Sequence, residues 1–207
     1  MNSKIRNVYC VGRNYRLHAA EMGNEVPKEP MIFLKPTHAV VAMNGGGIAL
    51  PHDQGEVHYE AELVIRVGRD YTPGIHVDEL IDVMSLGLDF TLRDVQSVCK
   101  QKGQPWTPAK GFKNSAPMTP YVAFPGAAAL AEQDFSLRKN DVEVQRGNVT
   151  EMIFDLQTIV DYIAEHYGLG EGDLIFTGTP AGVGRVEQGD RFELVLAEQR
   201  LDYCVID

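Results

Sequence analysis

Between Val57 and Val67 the chain alternates: Val57, Tyr59, Ala61, Leu63, Ile65 and Val67 fall on one side, and His58, Glu60, Glu62, Val64 and Arg66 on the other. A period of two sustained over this length predicts a strand with one buried face. Glu60 and Glu62 then emerge on the same side, with Cα atoms about 6.5 Å apart by the strand rise. Two carboxylates that close repel unless solvent, a proton or a cation sits between them. A solvated strand face meets that demand, since charged side chains are mostly exposed. So does a hard divalent cation such as Mg²⁺, which takes oxygen ligands of this kind.

Bulk properties narrow the partners. The 207 residues are 44% apolar and 23% charged, values of a soluble globular protein able to bury a substantial core. Lys+Arg 19 against Asp+Glu 29 leaves a net charge of −10, which argues against nucleic acid or an anionic membrane as the main partner. Cys10, Cys99 and Cys204 show no metal-site or CxxC spacing and fit reduced thiols in a cytoplasmic setting. No signal peptide and no apolar run long enough to span a bilayer is expected. Without repeat, low-complexity tract or linker, residues 1–207 read as a single domain.

In chain order, Ile5 to Val11 predicts a strand broken at Gly12-Arg13-Asn14. Asn14 is placed to cap a short helix from Tyr15 to about Met22, with Gly23 as its stop. His18 and Glu21, at i and i+3, share a face of that helix. They form either an exposed ion pair or an imidazole whose basicity a carboxylate raises, as a general base requires. Met31 to Leu34 predicts a short buried strand ending at Lys35-Pro36, Thr37 to Met43 another strand, and Asn44 to Gly47 a turn. A helix is expected from about Val77 to Met84, with Asp78 and Glu79 in its first turn.

Leu86 to Leu92 alternates in its turn, with Leu86, Leu88, Phe90 and Leu92 apolar and Asp89 on the opposite, polar face. Three acidic side chains with waters would complete an octahedral Mg²⁺ or Mn²⁺ site, although spacing alone does not make the two strands neighbours. A helix from about Leu92 to Gln101 sets Arg93 and Gln96 at i and i+3 near Asp89. Lys102 to Phe112 is a shaped loop around the only Trp. It lines a site with Trp106 and Lys110, or else Trp106 plugs the core edge and Lys110 sits in solvent.

The remainder predicts a hairpin over Phe135 to Gln145, turning at Lys139-Asn140-Asp141, and a helix from Asp155 to Tyr167 with a buried stripe of Leu156, Ile159, Val160, Ile163 and Tyr167. A strand Leu174 to Phe176 then runs into the Gly-rich turn Thr177 to Gly184. That turn either holds a carboxylate on backbone N–H groups and threonine hydroxyls or is a turn without a ligand. Phe192 to Leu196 and Leu201 to Ile206 close the chain as a hairpin.

These stretches, in this order, resemble the fumarylacetoacetate hydrolase family in its short single-domain branch. The matching segments are Val11-Gly12-Arg13-Asn14-Tyr15 with His18 and Glu21, Phe33-Leu34-Lys35-Pro36, His58-Tyr59-Glu60-Ala61-Glu62-Leu63, Leu88 to Gln96, Gly103 to Lys110, and Gly178 to Gly184. The resemblance implies an α+β fold built around a mixed β-roll in three layers, a homodimer, and a small keto acid as substrate. It implies that Glu60, Glu62 and Asp89 bind Mg²⁺ or Mn²⁺, and that Lys110 supports substrate charge. It makes His18 with Glu21 the water-activating dyad on a lid, and Arg13, Lys35, Arg93, Gln96 and Thr179 substrate contacts. The implied reaction is hydrolysis of the C3–C4 bond of acylpyruvates through a pyruvate enolate. Decarboxylation of oxaloacetate and isomerisation of a 2-hydroxydienedioate use the same enolate chemistry and stand as alternatives, and a silent dicarboxylate-binding module as a further one. Arg185 and Lys113 depart from the family pattern and are expected at the rim of the site.

Overall fold

The computed structural model describes residues 4–17 and 26–207. The alternating stretch forms two strands, β5 (Val57–Tyr59) and β6 (Ala61–Val67), interrupted at Glu60. In chain order the other strands are β1 (Val8–Gly12), β2 (Met31–Lys35), β3 (Val40–Ala42), β4 (Gly47–Ile48), β7 (Ile81–Leu88), β8 (Thr91–Leu92), β9 (Ala116–Met118) and β10 (Val122–Ala123). They continue with β11 (Phe135–Lys139), β12 (Val142–Gly147), β13 (Leu174–Phe176), β14 (Gly184–Arg185), β15 (Arg191–Leu196) and β16 (Gln199–Ile206). The main sheet runs β2-β1-β13-β6-β7-β9-β3, with β10 also on β7; a second runs β12-β11-β15-β16-β4 and a third β14-β5-β8. Most pairs are antiparallel, but β1–β13, β3–β9 and β16–β4 are parallel. Mixed sheets with few helices make the fold α+β, as the motifs imply.

Strand β6 does not have one buried face; it has two. Ala61, Leu63, Ile65 and Val67 enter the large core with Leu86, Leu88, Phe192 and the helix residues Ile159, Val160 and Ile163. On the reverse side Val64 enters a second cluster with Val8, Cys10, Met118, Leu174 and Phe176. Each such buried side chain stabilises the fold by about 1.5–3 kcal/mol relative to exposure. Glu62, flanking Val64 on this reverse side, belongs to neither apolar cluster.

The register of β6 against β7 sets what lies beside those two residues. Ala61 opposes Leu88 and Glu62 opposes Gly87, and Asp89 N–H donates to the Glu60 carbonyl at 2.8 Å. Glu60, Glu62 and Asp89 therefore share one face. A Cβ at Gly87 would lie 2.8 Å from Phe176 Cε1 and 3.0 Å from Val64 Cγ2, so glycine lets the second cluster close at this point.

Several local expectations yield to tertiary pairing. Helix Val77–Leu80 is a single turn, and Ile81 to Met84 belong to β7. A short apolar run satisfies both periods, and here the ladder to β6 prevails over a helix carrying β-branched Ile81 and Val83. β2 is a half-exposed edge strand rather than a buried one, with Leu34 53% exposed. Thr37–Ala39 is a 3-10 turn, leaving only Val40–Ala42 as strand. Helix Leu156–Tyr167 is capped as expected, Asp155 accepting from Thr158 N–H at 2.8 Å. Tyr167 leaves its stripe for a half-exposed position over Tyr9, with ring centroids 6.4 Å apart. The β11–β12 turn has positive φ at Asn140 and Asp141, the pairing that two-residue hairpins favour. Among the described residues no helix is long and apolar enough to cross a membrane.

Candidate active site

The three carboxylates sit nearly out of reach of solvent, at 5% (Glu60), 2% (Glu62) and 1% (Asp89) exposure. Each presents an oxygen within 4.8 Å of the others. Three buried anions at that spacing need positive partners, and the chain brings them from separate elements. Arg93, opening the helix Arg93–Lys102, donates to Glu60 Oε1 at 2.7 Å. Lys110, closing the helix Thr107–Lys110, donates to Glu60 Oε2 at 2.7 Å and Asp89 Oδ2 at 2.6 Å. Lys110 is thus buried in the cluster and not in solvent. Burial alone would depress its pKa, but Asp89 and Glu60 outweigh that and raise it, keeping the ammonium charged.

Lys35 stands behind the site. Its fully buried Nζ lies 2.8 Å from Asp89 Oδ1 and donates to Ser115 Oγ at 3.0 Å, Ser115 O at 3.1 Å and the Lys110 carbonyl. It does not line the cleft, so the expected substrate contact is replaced by a strut that fixes Asp89 and the last turn before Gly111. An ammonium with three donors suits such a cage of carbonyls.

Glu62 is the least compensated of the three. Gly178 N–H donates to its Oε2 at 2.8 Å. Burial, then Asp89 and Glu60, push its pKa well above the ordinary carboxylate value, while Lys110 and the Gly178 N–H act the other way. Asp89 Oδ1, although near Lys35, accepts no hydrogen bond of ordinary geometry. Three clustered carboxylates, one of them (Glu62) without a cation of its own, fit a hard divalent cation.

Backbone constraints hold the Gly178 turn against Glu62. Gly178 has φ +102, and a Cβ there would lie 2.8 Å from Asn14 Cβ. Asn14 is fully buried, and its side chain ties together segments distant in sequence. Its Nδ2 donates to Thr177 O at 2.9 Å and Phe154 O at 3.1 Å, and its Oδ1 accepts from Phe154 N–H at 2.8 Å. Gln145 completes the frame: its Oε1 accepts from Ala61 N–H at 2.8 Å, where the strand breaks, and its Nε2 donates to Thr179 Oγ1 at 2.9 Å. Nothing local marks Gln145 in the sequence, since its partners are 84 and 34 residues away.

A narrow cleft, open to solvent, leads to the carboxylates. Arg13, Arg93, Gln96, Lys110 and Thr179 all line it, with Phe33, Trp106 and Lys100. Lys100 escaped the sequence reading, although it lies four residues beyond Gln96 on the same helix face. His18 and Glu21, with most of the expected lid helix, fall among residues 18–25, outside the described residues. Arg185 is not on this rim. It pairs with Glu56 at 3.2 Å beside a different cleft. Lys113 is exposed and lines none of this one.

Residues 7–201 match the family model for the fumarylacetoacetate (FAA) hydrolase C-terminal domain. The chain belongs to the fumarylacetoacetate hydrolase family. Among curated members it is 38% identical over 187 residues to the mitochondrial oxaloacetate decarboxylase of Dictyostelium discoideum, covering 89% of this chain and 85% of that one. It is 38% identical over 191 residues to an oxaloacetate tautomerase of Escherichia coli (strain K12), covering 90% and 86%. Among solved structures, a fumarylpyruvate hydrolase from Pseudomonas aeruginosa in complex with Mn²⁺ and pyruvate superposes with a TM-score of 0.87 at 35% identity, covering 98% of this chain and 89% of that one. These members of the fumarylacetoacetate hydrolase family are enzymes, and one of them holds a divalent metal.

Proposed function

We propose that the chain is a metal-dependent enzyme acting at C3 of a short 2-keto acid, with oxaloacetate as the first candidate. The observation that carries this reading is Lys110, a charged ammonium buried between Glu60 and Asp89 at the closed end of a cleft. The curated relatives named for oxaloacetate favour that substrate over the acylpyruvates that the motifs alone suggest. Glu60, Glu62 and Asp89 would hold Mg²⁺ or Mn²⁺, which supplies Lewis acidity toward a keto oxygen.

The chain's own residues do the rest. Lys110 places a fixed positive charge where the 2-oxygen of the substrate gains negative charge, and it needs no reorganisation as that charge develops. Arg93, tied to Glu60 and to Gln96 Oε1 at 2.9 Å, orients the inner end of the substrate. The half-buried ring of Phe33 and the buried Thr179 limit water there. In tautomerisation the enol oxygen loses its proton and C3 gains one. In decarboxylation the C3–C4 bond breaks, carbon dioxide leaves, and the electron pair passes into the enolate that Lys110 stabilises. His18, oriented by Glu21, is the proposed carrier of the C3 proton.

A second reading, hydrolysis of a 2,4-diketo acid, draws support from the fumarylpyruvate hydrolase neighbour. There the same dyad would take a proton from water as it attacks the C4 carbonyl, and the C3–C4 bond would break to leave pyruvate enolate. An assay with Mg²⁺ on enol-oxaloacetate, keto-oxaloacetate and acetylpyruvate separates the readings. Ketonisation or decarboxylation of oxaloacetate outpacing hydrolysis of acetylpyruvate is expected, and the reverse order would favour the hydrolase. His18→Ala should lower steps that need a base by about 10²- to 10⁴-fold and spare much of the decarboxylation.

A further inference from the structure

Gln145 lies on β12, an edge strand of the second sheet, yet its amide reaches both the β5–β6 break and the Gly-rich turn. The approach is close because glycines stand at the contacts. A Cβ at Gly147 would lie 2.9 Å from Pro180 Cγ, and one at Gly182, where φ is +97, would run into the Val144 carbonyl. The turn therefore rests directly on β12, leaving Gln145 2% and Thr179 3% exposed. With so little solvent access, the pairing of these polar groups is settled inside the protein.

The Gln145 amide has one orientation that satisfies its neighbours. The Ala61 N–H can only donate, so Oε1 faces it, at 2.8 Å. The Pro180 carbonyl can only accept, so Nε2 faces it, at 3.0 Å. A flipped amide would lose both contacts. The other N–H of Nε2 then donates to Thr179 Oγ1 at 2.9 Å. That hydroxyl is thus an acceptor toward Gln145, and its own proton must be given elsewhere. Among the described residues its acceptor is the Pro180 carbonyl alone, at 3.5 Å, which is beyond the usual O–H···O range. The same carbonyl already serves Gln145. Thr179 lines the cleft together with Glu60, Glu62 and Asp89, whereas Gln145 does not.

We propose that Gln145 is a positioning residue: it commits the Thr179 hydroxyl to donate into the cleft, toward an acceptor oxygen of the ligand. This rests on the reading that a keto acid or its enolate occupies the cleft. A freely rotating hydroxyl serves donors and acceptors alike, but one held by Gln145 favours a carboxylate, carbonyl or enolate oxygen. Such a donor, fixed in advance, needs no reorganisation when charge develops on that oxygen. The contact with Ala61 N–H sets the same amide against the point where β5 gives way to β6 at Glu60. One side chain thereby holds the metal side and the ligand side of the cleft in register.

Oxalate, whose oxygens all accept at neutral pH, is the probe, titrated by calorimetry at saturating Mg²⁺. Thr179→Val and Gln145→Met should each weaken its binding about two- to tenfold, the worth of one hydrogen bond. Thr179→Ser, which keeps the hydroxyl, should bind like wild type. The double variant decides the matter. If Gln145 acts through Thr179, adding Gln145→Met to Thr179→Val should cost nothing more, whereas independent sites would multiply their losses. Multiplied losses, or wild-type affinity in either single variant, would overturn the proposal. Should Gln145→Met not fold, Gln145→Glu, which keeps an acceptor for the Ala61 N–H but has no amide donor, takes its place with the same outcomes. The expected cycle without turnover of any keto acid would overturn only the proposed function. Failure of the wild type to bind oxalate would overturn both.

Discussion

Gly178 and Glu62 lie 116 residues apart in sequence and are joined by an N–H···O contact of 2.8 Å. That contact ties the Gly-rich turn to the carboxylate cluster, and Gly178 makes it with φ +102 against Asn14. Gly178→Ala should cost about 1–3 kcal/mol through backbone strain alone, with added displacement of Asn14. Denaturant unfolding and Mn²⁺ calorimetry together check this: both stability and metal affinity should fall.

Glu62→Gln separates the metal from the fold. The amide oxygen can still accept from Gly178, while the anion is gone. Metal affinity and activity should drop steeply. The metal-free protein should unfold at the wild-type temperature or higher, since a buried charge lacking its own cation has been removed. A lowered metal-free Tm would show that the carboxylate is needed for structure.

Lys110→Met leaves Glu60 and Asp89 without their shared cation. Breaking a buried ion pair from one side typically costs about 3–5 kcal/mol, so the metal-free variant should melt well below wild type, and Mg²⁺ should recover part of the loss. Turnover should fall about 10²- to 10³-fold even when metal is bound, the scale for removing one preorganised electrostatic donor. Thermal melts with and without Mg²⁺, beside a single-turnover assay, test both halves.

How much of this site was legible beforehand depended on whether its partners were local. The alternation of Val57 to Val67 and of Leu86 to Leu92 set Glu60 with Glu62 on one side and Asp89 opposite its apolar neighbours, because period two is a local property, but it did not show that the shared side is itself buried. Their meeting required the β6–β7 register, which only the folded sheet supplies. Lys35, a substrate contact by the resemblance, is instead buried behind the site because Asp89 and Ser115 arrive from 54 and 80 residues away. The Val77 to Met84 stretch fits two periods, and pairing with β6 decides between them. Gln145 had no signal at all, whereas Lys100 had one in its helical spacing from Arg93 and Gln96.

Asp190 offers a test of acid stability away from the site. Burial opposes its charge, but Lys139, the Glu187 N–H and Asn140 outweigh that and hold it below the usual carboxylate range. The contacts are 2.8 Å to Lys139 Nζ, 2.6 Å to Glu187 N and 2.8 Å to Asn140 Nδ2. A depressed carboxyl stabilises the fold above its unfolded pKa of about 3.9, and that stability is lost as pH falls through the lower folded value. Asp190→Asn should therefore be less stable than wild type at neutral pH, and the gap should narrow below about pH 4. A constant gap across the acid range would show that the charge of Asp190 is not what matters.

The route by which the carboxylates come together bears on how the chain folds. Glu60, Glu62 and Asp89 converge through one antiparallel pairing between strands close in sequence. Arg93 and Lys110 follow only slightly later in the chain, but Lys35 and Gly178 come from elements that must dock across the sheet. Contacts of short sequence separation form early, since little loop entropy opposes them. A nascent β6–β7 hairpin thus gathers negative charge before all of its compensation is in place. Refolding should accelerate with salt or with millimolar Mg²⁺, and more strongly than the equilibrium stability rises.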